Sequence, residues 1–263
     1  MENVAFIINP FSAKKDYHPF LRALKTKVKN PLYYISESIQ GTFKFIDDHF
    51  ATTDIFVAVG GDGTISTVAQ KLINTDKILA IFPAGSGNGF SNETKFSKNI
   101  DELLDKIKAE DVKKIDTFTV NERLSINVSG TGFDGKVVKE FEKTDRGFKN
   151  YIKVSIKTFF NYKPVQIKFL TDNYQQYNGK YLMLNIANTR QFGNNAYIAP
   201  QASMSDGLMD VVIMEPFDVI EASQVSFDMF NKTLNKNSKI KSFRCKKLHI
   251  TRSKPGVIHY DGD

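Results

Sequence analysis

A single cysteine, Cys245, stands in 263 residues, so no intramolecular disulfide can form and no thiolate cage can hold a metal. Histidine is scarce too. His18, His49, His249 and His259 are scattered, and no pair has the spacing of metal ligands on one helix. The longest apolar runs, such as Val4–Ile8 and Ile78–Pro83, have strand length and fall far short of the ~18 residues of a membrane span. No transmembrane segment is expected. Met1-Glu2-Asn3-Val4 offers no basic region ahead of its apolar run, which argues against a secretion signal and for a cytoplasmic protein. The chain has no G-x-x-x-x-G-K-[ST] loop, so it is not a P-loop enzyme, and no G-x-S-x-G nucleophile elbow. It carries no base-reading motif, so nucleic acid is not an expected partner.

What is present is ordinary globular composition, 41% apolar and 25% charged. Lys and Arg number 36 against 29 Asp and Glu, a formal charge of 36 − 29 = +7 that suits nucleotides, phosphates or an anionic membrane surface and also serves solubility. Up to about residue 115, short apolar strands alternate with amphipathic stretches. Strands are predicted at Val4–Ile8, Leu32–Ile35, Ile55–Val59 and Ile78–Phe82, and helices at Tyr17–Val28, Phe43–Phe50, Ile65–Ile73 and Ile100–Ile107. That rhythm means βαβ units and a parallel sheet, which binds ligands beyond the carboxyl ends of its strands. Strands then predominate: Asp116–Val120, Arg123–Val128, Val165–Leu170, Lys180–Ala187, Leu208–Met214 and Phe243–Thr251, with helices only at Val137–Glu142, Phe148–Phe160 and Val219–Phe230. The expected architecture is an α/β domain over 1–115 followed by a β-rich, sandwich-like domain over 116–263.

Two loops at the predicted sheet edge carry chemistry. Val57-Ala58-Val59-Gly60-Gly61-Asp62-Gly63-Thr64 places three glycines directly after a strand, where the backbone can turn sharply and approach a ligand. The following helix can aim free N–H groups at phosphate, and Asp62 makes sense there if Mg²⁺ arrives with a nucleotide. Pro83-Ala84-Gly85-Ser86-Gly87-Asn88-Gly89-Phe90 follows the next strand, and Ser86 and Asn88 add side-chain donors. A third glycine run, Gly130-Thr131-Gly132-Phe133-Asp134-Gly135, matches G-x-G-x-x-G but lacks the second strand with its acidic end, so it is assigned to a loop of the second domain.

Ile8-Asn9-Pro10, Gly60-Gly61-Asp62-Gly63-Thr64, Pro83-Ala84-Gly85-Ser86-Gly87-Asn88, Gly132-Phe133-Asp134, Asp206-Gly207 and Asp261-Gly262-Asp263 follow one another as in the diacylglycerol kinase catalytic-domain superfamily, which the chain resembles over nearly its whole length. The G-G-D-G-T loop is shared with NAD kinases; the P-x-G-[ST]-x-N loop favours the lipid kinases. The resemblance implies ATP bound by the α/β domain, a lipid bound by the β-rich domain, and transfer of the γ-phosphoryl group to a lipid hydroxyl in a cleft between them. Diacylglycerol giving phosphatidic acid is the first expectation. A sphingoid-base or other lipid kinase, an NAD kinase-like enzyme and a catalytically inactive nucleotide-binding homologue are the alternatives.

The same resemblance puts Asn9, Ser36, Gly60–Thr64, Gly85, Ser86 and Asn88 at nucleotide-binding positions. It puts Ser203, Asp206 and the Leu208 carbonyl at a structural Mg²⁺ position, and Asp263 where the family's D-G-E places a glutamate as general base. Asp is one methylene shorter and stands at the chain's end, where fraying would hold a base poorly. The acceptor must come from a membrane surface. Two basic stretches suit peripheral contact: Lys239, Lys241, Arg244, Lys246, Lys247, Arg252 and Lys254, and Lys149, Lys153 and Lys157 with Phe159 and Phe160. A solvated strand face and a core-packed helix account for the same residues, and a homodimer is compatible with the sequence.

Overall fold

The computed structural model describes residues 3–12, 16–145 and 147–262. Val4–Ile8 (β1) is buried at every position, as five consecutive apolar residues require in a strand covered on both faces. His18–Lys27 (α1) follows, with proline in its first turn, then Leu32–Ile35 (β2). Ile39–His49 (α2) is capped by Ser38, whose hydroxyl accepts the Gly41 N–H. Ile55–Gly60 (β3), Asp62–Leu72 (α3), Ile78–Pro83 (β4), the short Gly89–Glu93 (α4) and Ile100–Ala109 (α5) complete the first part. The four strands lie in the order β2-β1-β3-β4, all parallel. On one face Phe6, Ile8, Val57 and Val59 pack with Phe20 and Leu24 of α1 and Leu103, Leu104 and Ile107 of α5. Alternate residues Ile7, Phe56 and Ala58 are also buried, and α3 packs on β3 with α2 beside it. Each such buried side chain contributes roughly 1.5–3 kcal/mol.

After residue 114 the chain forms a second compact unit, Ile115–Asp263. Phe118–Val120 (β5) and Arg123–Ser125 (β6) make a hairpin across Asn121 and Glu122, both at positive φ. Val128–Gly132 (β7) leads into Phe133–Phe141 (α6) and Phe148–Asn161 (α7). Val165–Phe169 (β8), Gly179–Tyr181 (β9), Met183–Ala187 (β10) and Met209–Met214 (β11) follow. Val219–Phe230 (α8) starts from a capping box between Asp218 and Glu221. Ile240–Cys245 (β12), Ile250–Arg252 (β13) and Ile258–His259 (β14) end the chain.

An antiparallel sheet β12-β11-β10-β7-β14 and a smaller one, β13-β8-β9, form a sandwich. Strand alternation sets the layers. Val211 and Ile213 of β11 meet Ile167, Phe169 and Tyr181 of the small sheet. Val212 and Met214 turn the other way, towards Val225 of α8 and Leu234.

The first unit follows the predicted elements closely. In the second, three predicted strands divide. Arg123–Val128 breaks at Ile126-Asn127 into β6 and β7, Lys180–Ala187 breaks at Leu182 into β9 and β10, and Phe243–Thr251 spans the end of β12 and the first two residues of β13. In all three cases the pieces belong to different sheets. The Gly130–Gly135 run is not a loop. It is the end of a central strand and the first turn of a helix.

Candidate functional site

The carboxyl ends of β1, β2, β3 and β4 bring the predicted nucleotide residues together. Asn9 donates its backbone N–H to the Val59 carbonyl (2.9 Å), and its side-chain Nδ2 donates to Thr64 Oγ1 (2.8 Å). Asn9 Oδ1 accepts the Phe11 N–H (2.9 Å), so one amide ties the β1 loop to the G-G-D-G-T loop. Ser36 donates its N–H to the Ile8 carbonyl (2.8 Å) and pairs its hydroxyl with Thr42 (2.8 Å).

The two glycine loops touch backbone to backbone. A Cβ on Gly85 would lie 2.5 Å from the Gly61 Cα, inside any real contact distance, so glycine is what lets the loops meet. The Asp62 carboxylate makes the second join: Oδ2 accepts the Gly89 N–H and Oδ1 the Phe90 N–H, both at 3.0 Å. It thereby holds the opening turn of α4 from 27 residues away. Each carboxylate oxygen of Asp62 thus accepts one backbone donor, which gives the residue a positioning role beside the expected one towards Mg²⁺. Asn88 is in the left-handed conformation (φ 51°), and its amide accepts from Gly85 N–H and donates to the Gly85 carbonyl, both at 2.9 Å. It shapes the loop, whereas Ser86 is exposed at the loop tip. The cap of α3 is Gly61, which contributes no side chain, so no side chain caps the backbone N–H groups at that helix start.

In the second unit, a buried polar cluster was not legible from spacing. Asp134, in the first turn of α6, accepts from its neighbour Gly135 N–H (2.8 Å) and from the side chain of Asn185 on β10. Its Oδ2 also lies 2.8 Å from His259 Nε2 on β14. Asp134 was visible as part of a motif, but nothing in the sequence pointed to Asn185 or His259. Gly130 has no side chain because Asn185 Nδ2 and Asp134 Oδ2 fill that space. Burial, with the Asp134 charge nearby, pushes the Tyr151 phenol up to about 12, so it stays protonated.

Asp263 lies outside the described residues. The segment leading to it is anchored. Asp261, buried, accepts from Ser125 Oγ (2.6 Å), Asn127 N–H (2.8 Å) and Ile126 N–H (3.2 Å), and β14 pairs with β7.

The three expected Mg²⁺ positions lie on one turn ahead of β11. Ser203 Oγ accepts the Ser205 N–H (3.3 Å), and Asp206 Oδ1 accepts the Leu208 N–H (3.1 Å). Asp206 Oδ2 faces Arg244 Nη1 at 3.6 Å. The same guanidinium reaches Asp210 Oδ1 (3.3 Å) and the Gln201 carbonyl (2.9 Å), so it brings positive charge to this turn. Among the described residues no group of three or more His, Cys, Asp or Glu gathers as a metal site. The basic stretch from Lys239 to Lys254 is likewise largely committed: Lys239 pairs with Glu221, Lys241 with Glu215, and Arg252 donates to Thr131.

These geometries agree with the comparisons. The diacylglycerol kinase catalytic domain matches residues 3–120, and the YegS C-terminal NAD kinase beta sandwich-like domain matches residues 127–263. The second match takes in just over half of the chain, which therefore belongs to the family of proteins carrying the YegS C-terminal NAD kinase beta sandwich-like domain, here preceded by a segment similar to the diacylglycerol kinase catalytic domain. It is 26% identical, over 80% of its length and 71% of the relative's, to a protein of Mycobacterium tuberculosis (strain H37Rv) named "Diacylglycerol kinase". It is 33% identical to a "Probable lipid kinase YegS-like" of Pseudomonas aeruginosa (strain UCBPP-PA14), over 65% of this chain and 57% of that one. It spans about half (49%) of a relative from Synechocystis sp. (strain PCC 6803), at 28% identity over 79% of its own length. A crystal structure described as a diacylglycerol kinase from Bacillus anthracis str. Sterne shares the fold, with a TM-score of 0.70 at 20% identity, covering 99% of this chain and 89% of that one. Among the described residues no helix is long and apolar enough to cross a membrane.

Proposed function

We propose that the chain transfers the γ-phosphoryl group of ATP, taken up as MgATP, to the free hydroxyl of diacylglycerol, giving phosphatidic acid and ADP. The observation that carries this reading is the pair of glycine loops joined through Gly61 and Gly85 and held by Asp62 at the edge of a parallel sheet. Such transfer asks a protein chiefly for alignment and charge stabilisation. The α3 N-terminus and the backbone of Gly60–Thr64 and Gly85–Gly87 hold the phosphates, and Ser86 adds its hydroxyl. Asn9 and Ser36 border the nucleotide. Asp62 is a positioning residue, acting through the backbone of Gly89 and Phe90.

The second unit takes the lipid. Its hydroxyl oxygen bonds to the γ-phosphorus as the bond to the ADP oxygen breaks, and the hydroxyl proton passes to a carboxylate. We assign that role to Asp263, carried on the segment anchored by Asp261. The Mg²⁺ belongs to the substrate MgATP; no step requires a cation at Asp206.

The test is labelled MgATP offered with diacylglycerol, phosphatidylglycerol, a sphingoid base and a polyprenol in mixed micelles, and separately with NAD. Label in phosphatidic acid is expected. Label in NADP, or ATP binding without transfer to any acceptor, would overturn the proposal.

A further inference from the structure

The α7 helix has two apolar faces. Its inner face is already partnered: Phe159 stacks on Phe217 (5.3 Å between centroids) and meets Phe133 edge-on, and Tyr151 meets Phe141 edge-on. Its outer face is nonetheless apolar. Lys149, Ile152, Lys153, Ile156, Lys157 and Phe160 recur at helical spacing and are all exposed, Ile156 by 56% and Phe160 by 67%. At 100° per residue the two isoleucines lie towards one edge of this face and Lys153 and Lys157 towards the other, with Lys149 and Phe160 along its middle. The helix contains no acidic residue, and among the described residues none of the three lysines has an ion-pair partner. A solvated helix face has no use for Ile, Ile and Phe in register.

We propose that the outer face of α7 docks on an anionic lipid bilayer, with Ile152, Ile156 and Phe160 entering the headgroup–acyl boundary and Lys149, Lys153 and Lys157 paired with anionic headgroups. The charge pattern selects this occupant. A second copy of the chain would bring three lysines against three lysines, and a polyanion alone would leave the apolar half uncovered. The inference rests on the lipid-kinase reading for its purpose and refines it by naming the face that meets the substrate's membrane. It also shifts the expected basic contact from Lys239–Lys254 to α7, and Phe159 from the surface to the core.

The test is sedimentation with vesicles of phosphatidylcholine alone and of phosphatidylcholine with 30 mol% phosphatidylglycerol, paired with turnover of a short-chain, water-soluble diacylglycerol. The full chain is expected on the anionic vesicles and absent from the neutral ones. Replacing all three lysines by glutamine should weaken partition roughly a hundredfold, about fivefold per residue. Ile156→Glu with Phe160→Glu should abolish it while leaving short-chain turnover unchanged, since both side chains are exposed. Wild-type behaviour of these variants, or a wild type that ignores anionic vesicles, would overturn the docking face. So would a glutamate variant that converts a dimer to a monomer on size exclusion. Failure of the wild type on the short-chain substrate overturns the kinase reading instead, and the vesicle result still decides the docking face.

Discussion

At the scale of single residues, the candidate nucleotide site depends on groups whose job is to fit together two loops. Gly85→Ala would push a methyl group to 2.5 Å from the Gly61 Cα, so the loops must separate. Overpacking of this kind costs about 1–3 kcal/mol. We expect a matching loss of stability and at least a tenfold loss of MgATP affinity by calorimetry. Asp62→Ala removes two hydrogen bonds to a carboxylate at the start of α4, each worth about 1.5–3 kcal/mol when intact. Turnover should fall by roughly a hundredfold or more, with the far-ultraviolet spectrum unchanged because the sheet beneath does not depend on that carboxylate. An Asp62→Ala enzyme with near-normal turnover would contradict the positioning role. The glycines and Asp62 were legible because strand, glycines and helix follow one another within a few positions. The closure of the Asn88 amide on Gly85 was not legible, since residue type alone does not fix that local loop geometry.

Among the elements, the segment from Gln201 to Asp210 draws positive charge from Arg244 of β12. Burial pushes the Asp210 carboxyl up despite the guanidinium, and the neighbouring Asp206 pushes the same way. A raised folded-state value makes ionised Asp210 a stability cost above that value, and the cost is relieved as pH falls through it towards the unfolded value. Arg244 partly offsets that cost. Since its side chain is 43% exposed, Arg244→Met should lower stability by only about 1 kcal/mol, or roughly 2–4 °C in Tm. Adding Mg²⁺ or EDTA should leave the Tm of the wild-type chain unchanged. A clear rise with Mg²⁺ in the absence of nucleotide would restore the cation to Asp206.

Element boundaries in the first unit could be read from apolar runs closed by Asn9-Pro10, Gly60-Gly61 and Pro83. The second unit offered less punctuation. The alternation in Phe243–Thr251 passes through Lys246 and Lys247 without a glycine or proline, so the change of sheet left no mark. The α4 helix was not foreseen because its five residues are held by a carboxylate far away in sequence.

On the scale of the whole molecule, each unit owns its core. Phe6, Ile8, Val57 and Val59 with α1 and α5 fill one, and the two faces of the five-stranded sheet fill the other. A fragment of residues 115–263 is therefore expected to fold when expressed alone, giving a dispersed amide spectrum typical of β-structure. A collapsed spectrum would show that its core requires residues 1–114. The change from an alternating βα rhythm to strand-rich sequence was visible because it follows from composition and period. The Asp134–Asn185–His259 cluster was not, since it joins a helix start to two strands through pairings that exist only after the sheet has formed.

The close approach of Gly61 and Gly85 has a consequence for how such a chain can change over generations. A clash between two ordinary side chains can be repaired by shrinking the partner, which is why touching positions often drift together. Here each partner is already the smallest residue there is. No second-site revertant at either position can rescue a substitution at the other, so the pair should look invariant and statistically silent in any coevolution survey, although it is among the tightest junctions in the fold.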